Sequence, residues 1–257
     1  MPALLPNVYL NCAAERCEFV LEGPELSRRL NKVLSMCPRS KCIADIGTDH
    51  GLLPVRAVMC GKAKKAVACD LRKGPLDRCI ANIEAYGAGA NVSARLAYGL
   101  DGLEPGEADT VTIAGMGGML ICEIITKAIE SGKLTPRTRL VLCPNTHDEY
   151  VRRMVCSRSF ILRRECAVRE DGMIYLIVSC AYTGENSPFS FVSDGLKEQE
   201  FFIPEHFTGV SGTLPKYYYR KVMLRASKRL KGLSGKAENY ETALVREIIG
   251  KCESFLR

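Results

Sequence analysis

The residues of this chain best suited to chemistry fall in three short segments, two of them glycine-rich and one a strand ending in an acid. The first is Asp45-Ile-Gly47-Thr-Asp49-His50-Gly51. Its small residues let the backbone approach a ligand closely. A pyrophosphate would favour bare N–H groups at a helix start. An aspartate stands here where a dinucleotide-binding turn has its second glycine, and it repels a diphosphate. Asp45 and Asp49 favour instead a cation, a sulfonium carrying an α-ammonium group, which describes S-adenosylmethionine. The bland alternative makes Asp49 the N-cap of the next helix. The second segment ends in Asp70, about 20 residues further on, where a carboxylate can accept both ribose hydroxyls of an adenosine. An ordinary surface aspartate is the competing reading. The third is Gly115-Met116-Gly117-Gly118, where consecutive glycines admit a flat base and Met116 offers it an apolar surface. A simple tight turn is the alternative there. Gly99-Leu100 stands where it would flank an adenine.

These segments work together only if strands carry them to one edge. The sequence alternates accordingly. CIADIG (42–47), KAVACD (65–70), NVSARLA (91–97), ADTVTIAG (108–115) and RLVLCPN (139–145) read as short apolar strands. Helical patterns separate most of them: LSRRLNKVLSMC before the first, LLPVRAVMC after it, LDRCIANIEAY, MLICEIITKAIESG and a segment from about Asp148 to Arg158. ILRRECAVRE and MIYLIVSCAY form a hairpin across Asp171-Gly172. The pattern predicts an α/β fold with a Rossmann-like, mostly parallel sheet and an antiparallel last strand, ligands binding beyond the carboxyl ends of the strands. Residues 1–24 lack periodicity and read as an N-terminal extension. Residues 25–184 form the ligand-binding domain, and 185–215, rich in Gly, Ser and Pro, a connector. Residues 216–257 repeat apolar positions at helical spacing and read as a basic helical hairpin.

The formal charge of +7 is unevenly spread. Residues 1–150 carry 18 Lys/Arg against 17 Asp/Glu, and residues 151–257 carry 18 against 12. Lys216 to Lys236 holds eight basic residues and no acid, the footprint of a phosphate-rich partner or of a solvated helix face. No apolar stretch approaches the ~18 residues of a membrane span. Met1 to Leu10 has neither a basic region nor an apolar core, so a secretory leader is not expected. The 13 cysteines form no CxxC and fit no zinc spacing. Most sit in apolar segments as small hydrophobes, which suits a reducing cytoplasm. No metal and no membrane partner are expected, and a monomer is.

IADIGTDHGLLP, LAYGLDGL, ADTVTIAGMGGMLI, the strand ending PNTH and the EDGMIYLIV hairpin, in this order, resemble the bacterial tRNA (adenine-22-N1)-methyltransferase family over residues 26–184. The resemblance implies a methyltransferase of class I that uses S-adenosylmethionine, releases S-adenosylhomocysteine, and methylates N1 of an adenosine in tRNA. It implies that Asp45, Gly47, Asp49, His50, Asp70, Gly99, Leu100 and Gly115 line the cofactor site. Met116, Gly117, Gly118 and Asn145 would face the base. Asp70 replaces a common Glu of the family, and Cys143 a common Gln.

N1 of adenine carries an in-plane lone pair and can attack a methyl sulfonium directly, so orientation and exclusion of water dominate such catalysis. The product adenine is cationic, and a nearby carboxylate stabilises the developing charge; Asp49 is the candidate, with Asp45 or the cofactor's own carboxylate as alternatives. Asn145 would hydrogen-bond the adenine edge, and His50 would either position the cofactor or its loop or move a proton. A paired target base would first be unstacked, at a few kcal/mol. Lys216, Arg220, Lys221, Arg225, Lys228 and Arg229 would hold phosphates. Two other readings stay open: a small-molecule methyltransferase, insensitive to salt, and a non-catalytic RNA-binding relative.

Overall fold

Strands covered by helices on both faces read as continuous apolar runs, because neighbouring residues point to opposite but equally dry sides. The central strand β3 (Ser40–Ile46) shows this directly: Ile43 packs into one core, Ala44 and Ile46 into the other. β7 (Arg139–Cys143) divides in the same way, with Leu140 and Leu142 on one face and Val141 and Cys143 on the other. The computed structural model describes residues 8–11, 18–21, 23–157, 159–185, 201–204, 214–233 and 239–257.

With β4 (Ala63–Asp70), β5 (Val92–Leu96), β6 (Thr110–Ala114), β8 (Phe160–Glu170) and β9 (Met173–Tyr182), these strands make a seven-stranded sheet in the order β5-β4-β3-β6-β7-β9-β8. β3 pairs in parallel with both β4 and β6. β9, the last strand in sequence, is antiparallel to both neighbours. It lies inside the sheet, while its hairpin partner β8 forms the rim. Asp171 (φ 47°) and Gly172 (φ 74°) make the tight connection, the left-handed pair that a two-residue hairpin turn requires.

Helices α1 (Arg28–Met36) and α2 (Leu52–Met59) cover one face of the sheet, and α3 (Lys73–Ala85) packs on β4 and β5. α4 (Gly118–Glu130) and α5 (Asp148–Val155) cover the other face. α6 (Leu214–Leu233) and α7 (Tyr240–Leu256) form the C-terminal helical hairpin. Tyr218, Tyr219, Val222 and Ala226 of α6 join Leu244, Val245, Ile248 and Cys252 of α7 in the same core as the sheet. The hairpin is thus built into the main body of the protein. β1 (Val8–Asn11) and β2 (Glu18–Leu21), in the segment without periodicity, pair antiparallel as a separate ribbon. Most of the expected connector and the turn near Lys236 lie outside the described residues.

Candidate functional site

The strand order reverses between β3 and β6, and a crevice opens beyond their carboxyl ends, where open α/β sheets bind ligands. A cavity of about 500 Å³ lies there. Its wall brings together nine of the residues expected from sequence: Asp45, Gly47, Asp49, His50, Asp70, Gly99, Gly115, Met116 and Asn145.

Asp45, the penultimate residue of β3, is buried and accepts a 2.7 Å hydrogen bond from the Thr112 hydroxyl of β6. Among the described residues no cation pairs with it. Burial pushes its carboxyl above the ordinary range, the Thr112 hydrogen bond opposes the rise, and the neighbouring Asp70 carboxylate adds to it. A positive ligand in the cavity would relieve that desolvation. Asp70 closes β4 and is also buried. One of its oxygens accepts from the Arg72 N–H at 2.8 Å, and the other has a long 3.4 Å contact with the Asp49 N–H. The second oxygen keeps acceptor capacity toward the cavity. Gly47 makes the sharp exit from β3 at φ 72°; a Cβ there would stand 2.2 Å from Met116 Cε. Glycine therefore lets the first loop and the Met116 loop meet as one wall.

Asp49 is half exposed and occupied. Its carboxylate accepts from Arg78 Nη2 at 2.8 Å and lies 3.5 Å from His50 Nε2. α2 is instead capped by Gly51, without a side-chain bond, so the N-cap reading of Asp49 fails. The Arg78 contact compensates its charge, which makes Asp45 the better carboxylate to meet a cation. His50 is anchored through its carbonyl, which accepts from Asn82 Nδ2 at 2.8 Å.

The opposite wall is built on Asn145, just past β7. Its Nδ2 donates to the Gly115 carbonyl at 2.7 Å, and its backbone N–H donates to the Met116 carbonyl at 2.8 Å. Its Oδ1 accepts from Arg29 Nη1 at 2.7 Å. Arg29, on α1, is a cavity residue that the motifs do not reveal. The available signal was its setting: Arg28 and Arg29 open a helix whose first turn has no acid, where the helix dipole disfavours cations. Leu53 and Leu120, inside the quoted motifs but not singled out there, and Ile124, outside them, supply an apolar lining.

Three expectations are corrected. Leu100 is buried in the core and does not reach the cavity, so Gly99 alone lines it. Gly117 and Gly118 cap and start α4 and lie outside the cavity wall. The Gly118 N–H donates to the Thr146 carbonyl at 2.7 Å, and a Cβ there would meet the His147 carbonyl oxygen at 2.0 Å. Its smallness serves loop packing rather than a base. Cys143, which stands where the family commonly has Gln, is a buried small hydrophobe beside α1, in keeping with the reading of the cysteines, with burial pushing its thiol up to about 12. Lys221 is largely buried, its Nζ 3.3 Å from Asp148 Oδ2, so it is unavailable to a phosphate.

The other basic residues of α6 remain on the surface. Lys216, Arg220 and Lys228 are exposed; Arg225 pairs with Asp148 at 3.0 Å and Arg229 with Glu241 at 2.7 Å while staying accessible. Exposed Tyr217 has two guanidinium groups near its ring, that of Arg169 at 5.2 Å and that of Arg220 at 5.9 Å from the ring centre. Such an aromatic face amid cations suits base stacking beside phosphate contacts. Among the described residues no cluster of three metal-ligating side chains occurs, and no helix is long and apolar enough to cross a membrane.

The methyltransferase domain family matches residues 26–178. The tRNA (adenine(22)-N(1))-methyltransferase of Bacillus subtilis (strain 168) is 38% identical over 156 residues, which cover 60% of this chain and 64% of that protein. The aligned chain thus spans just under two thirds of the curated relative. The crystal structure of the B. subtilis m1A22 tRNA methyltransferase TrmK is similar over 91% of this chain and 99% of that one, with a TM-score of 0.75 and 26% identity. TrmK of M. capricolum, solved in complex with S-adenosyl-homocysteine, is similar over 90% of this chain and 97% of its own, with a TM-score of 0.70 and 27% identity.

Proposed function

The chain belongs to the methyltransferase domain family, and from that premise we propose that it transfers a methyl group from S-adenosylmethionine to N1 of an adenosine, position 22, in tRNA. The observation that carries the reading is the pairing of two buried carboxylates, Asp45 and Asp70, with the Met116–Asn145 wall across one cavity. That set fits a cationic adenosine derivative on one side and a flat base on the other. The similarity to tRNA (adenine(22)-N(1))-methyltransferases supports the acceptor.

The cofactor supplies a methyl group on a positively charged sulfur. The protein's own residues do the rest. Asp45 attracts the cationic end of the ligand, and Asp70 receives the ribose hydroxyls. Gly47 and Gly115 bring backbone close to the reacting atoms. Asn145 binds the edge of the adenine and leaves N1 free to attack in line. Lys216, Arg220, Lys228 and the accessible faces of Arg225 and Arg229 hold phosphates. Residues 25–184 act as the catalytic domain and 216–257 as its RNA-binding hairpin. Such an enzyme acts in the cytoplasm, where its tRNA is modified.

The test is incubation with tritiated S-adenosylmethionine and unmodified bulk tRNA, followed by nucleoside analysis. Label recovered as 1-methyladenosine, and lost in Asp45→Ala, supports the reading. Cofactor binding without label in tRNA would sink it.

A further inference from the structure

We propose that Arg29 is a positioning residue that locks the Asn145 carboxamide against the Gly115 carbonyl, so that the target base meets one fixed amide edge. The inference rests on the methyl-transfer reading and deepens it.

The contacts of Asn145 leave one orientation of its amide. Oδ1 takes a hydrogen from Arg29 Nη1 at 2.7 Å, and Nδ2 gives one to the Gly115 carbonyl at 2.7 Å. A flipped amide would set its NH2 against a guanidinium that can only donate, and its oxygen against a carbonyl that can only accept. Two attractive contacts would become two repulsive ones. Without Arg29 only the Gly115 contact would choose between the two orientations.

Arg29 is itself held from three directions. Its Nε lies 3.3 Å from Glu170 Oε2, within ion-pair range although not aligned as a hydrogen bond. Its backbone N–H donates to Glu170 Oε1 at 2.8 Å. Its guanidinium stands 4.7 Å from the centre of the Tyr175 ring. Glu170 also sets a negative charge beside a helix start that would otherwise oppose two arginines. The β8–β9 hairpin thus braces α1, and α1 braces the loop after β7.

The bracing bears on specificity. An amide offers two donors and two acceptor sites. Arg29 and Gly115 each use one, leaving one donor and one acceptor. That remainder matches the N6–H and N7 of adenine and leaves N1 uncontacted. Guanine presents acceptors at both O6 and N7 and is refused by a fixed amide.

The test compares Arg29→Met, Arg29→Lys, Asn145→Ala and the double variant R29M/N145A in the full-length protein. Three readouts are used: kcat on tRNA, S-adenosylhomocysteine affinity by calorimetry, and the Asn145 side-chain amide resonances under asparagine-selective 15N labelling. R29M should lower kcat roughly 100-fold, the scale of a small misplacement at a reacting centre, with cofactor affinity within about twofold. R29K should recover part of the loss, since an ammonium can still donate to Oδ1. The double variant should be no slower than N145A, because Arg29 acts through Asn145. The Asn145 amide pair should move in R29M. An unmoved pair overturns the proposal, whether or not the wild type methylates tRNA. Losses that add in the double variant, or a tenfold drop in cofactor affinity, overturn it too, the latter by making Arg29 a direct cofactor ligand. A wild type that transfers no methyl to tRNA sinks the proposed function separately.

Discussion

Tyr218 of α6 donates a 2.8 Å hydrogen bond to Asp148, the first residue of α5 and 70 positions away in sequence. Both side chains are buried. Lys221 and Arg225 converge on the same carboxylate, so one aspartate fastens the basic helix three residues beyond Asn145. Burial alone would raise the Asp148 carboxyl, but the two cations and the Tyr218 hydroxyl outweigh it and hold it below the ordinary range. Replacing Asp148 by alanine should cost about 3–5 kcal/mol, as for a buried ion pair losing one partner. Tyr218→Phe should cost about 1.5–3 kcal/mol, the value of a hydrogen bond to a charged group. Because the folded carboxyl is held low, its stabilisation is complete above the unfolded value and is lost as pH falls through the folded one. Urea melts from neutral pH into acid should therefore show a smaller acid-limb loss in D148A than in wild type, the remainder coming from carboxylates such as Glu107 that are also held low.

Asp45 predicts the opposite sign. Its carboxyl is raised by burial, so its ionisation costs stability as pH rises through the folded value. Asp45→Asn keeps an acceptor for Thr112 and removes that cost. The ligand-free variant should melt at or above the wild-type temperature, with the gap widening as pH rises above the ordinary carboxylate range. The same change should weaken cofactor affinity roughly 100-fold or more, because a cation would lose its buried partner. Differential scanning calorimetry and titration with S-adenosylmethionine read the two effects separately. A variant that is both less stable and still binds tightly would contradict the role assigned to Asp45.

What the sequence made legible follows from what locality can carry. The sheet could be read because β3 and β7 are dry on both faces and so appear as apolar runs. Asp45, Asp70 and Gly115 could be found because each sits at or just past the end of such a run. Arg29 stood out only by its unfavourable place at an acid-free helix start, and its role could not be read, since its partners Asn145 and Glu170 are 116 and 141 residues away. Lys221 was misjudged for the same reason. Charge counting sees the sign of a side chain and not the carboxylate 73 residues earlier that neutralises it. The start of α3 at Lys73 was hidden because proline favours the first helical position, whereas Pro75 is the third residue of this helix, where its missing N–H has no intrahelical partner to lose.

The glycines of the third segment should separate by experiment. Gly118→Ala would press a Cβ within 2.0 Å of the His147 carbonyl oxygen, backbone that cannot step aside. It should destabilise the protein by about 3 kcal/mol and displace the loop carrying Asn145. Gly115→Ala meets open space but keeps a strained φ of 90°, costing about 1–2 kcal/mol. Its methyl would enter the cavity where cofactor and base converge, so activity should fall further than stability does. Melting temperatures and methylation rates of the two variants, measured side by side, check the contrast.

The surface of α6 makes a prediction about salt. Cations that release counterions from RNA give log K a slope against log salt of roughly 0.7–0.9 per phosphate contact. Lys216 and Arg220 are exposed, and Arg220 flanks the accessible Tyr217 ring. Alanine at either position should reduce the slope by about that amount and leave the melting temperature unchanged. Lys221 carries the same charge but spends it on Asp148. Lys221→Ala should therefore lower stability and leave the slope close to that of wild type. Tyr217→Ala should weaken tRNA binding by about 1–3 kcal/mol, the worth of one stacked base, also without changing the slope. Fluorescence anisotropy of labelled tRNA over a salt series measures all four. A wild-type affinity that ignores salt would remove the RNA from the reaction and leave a small molecule as the methyl acceptor.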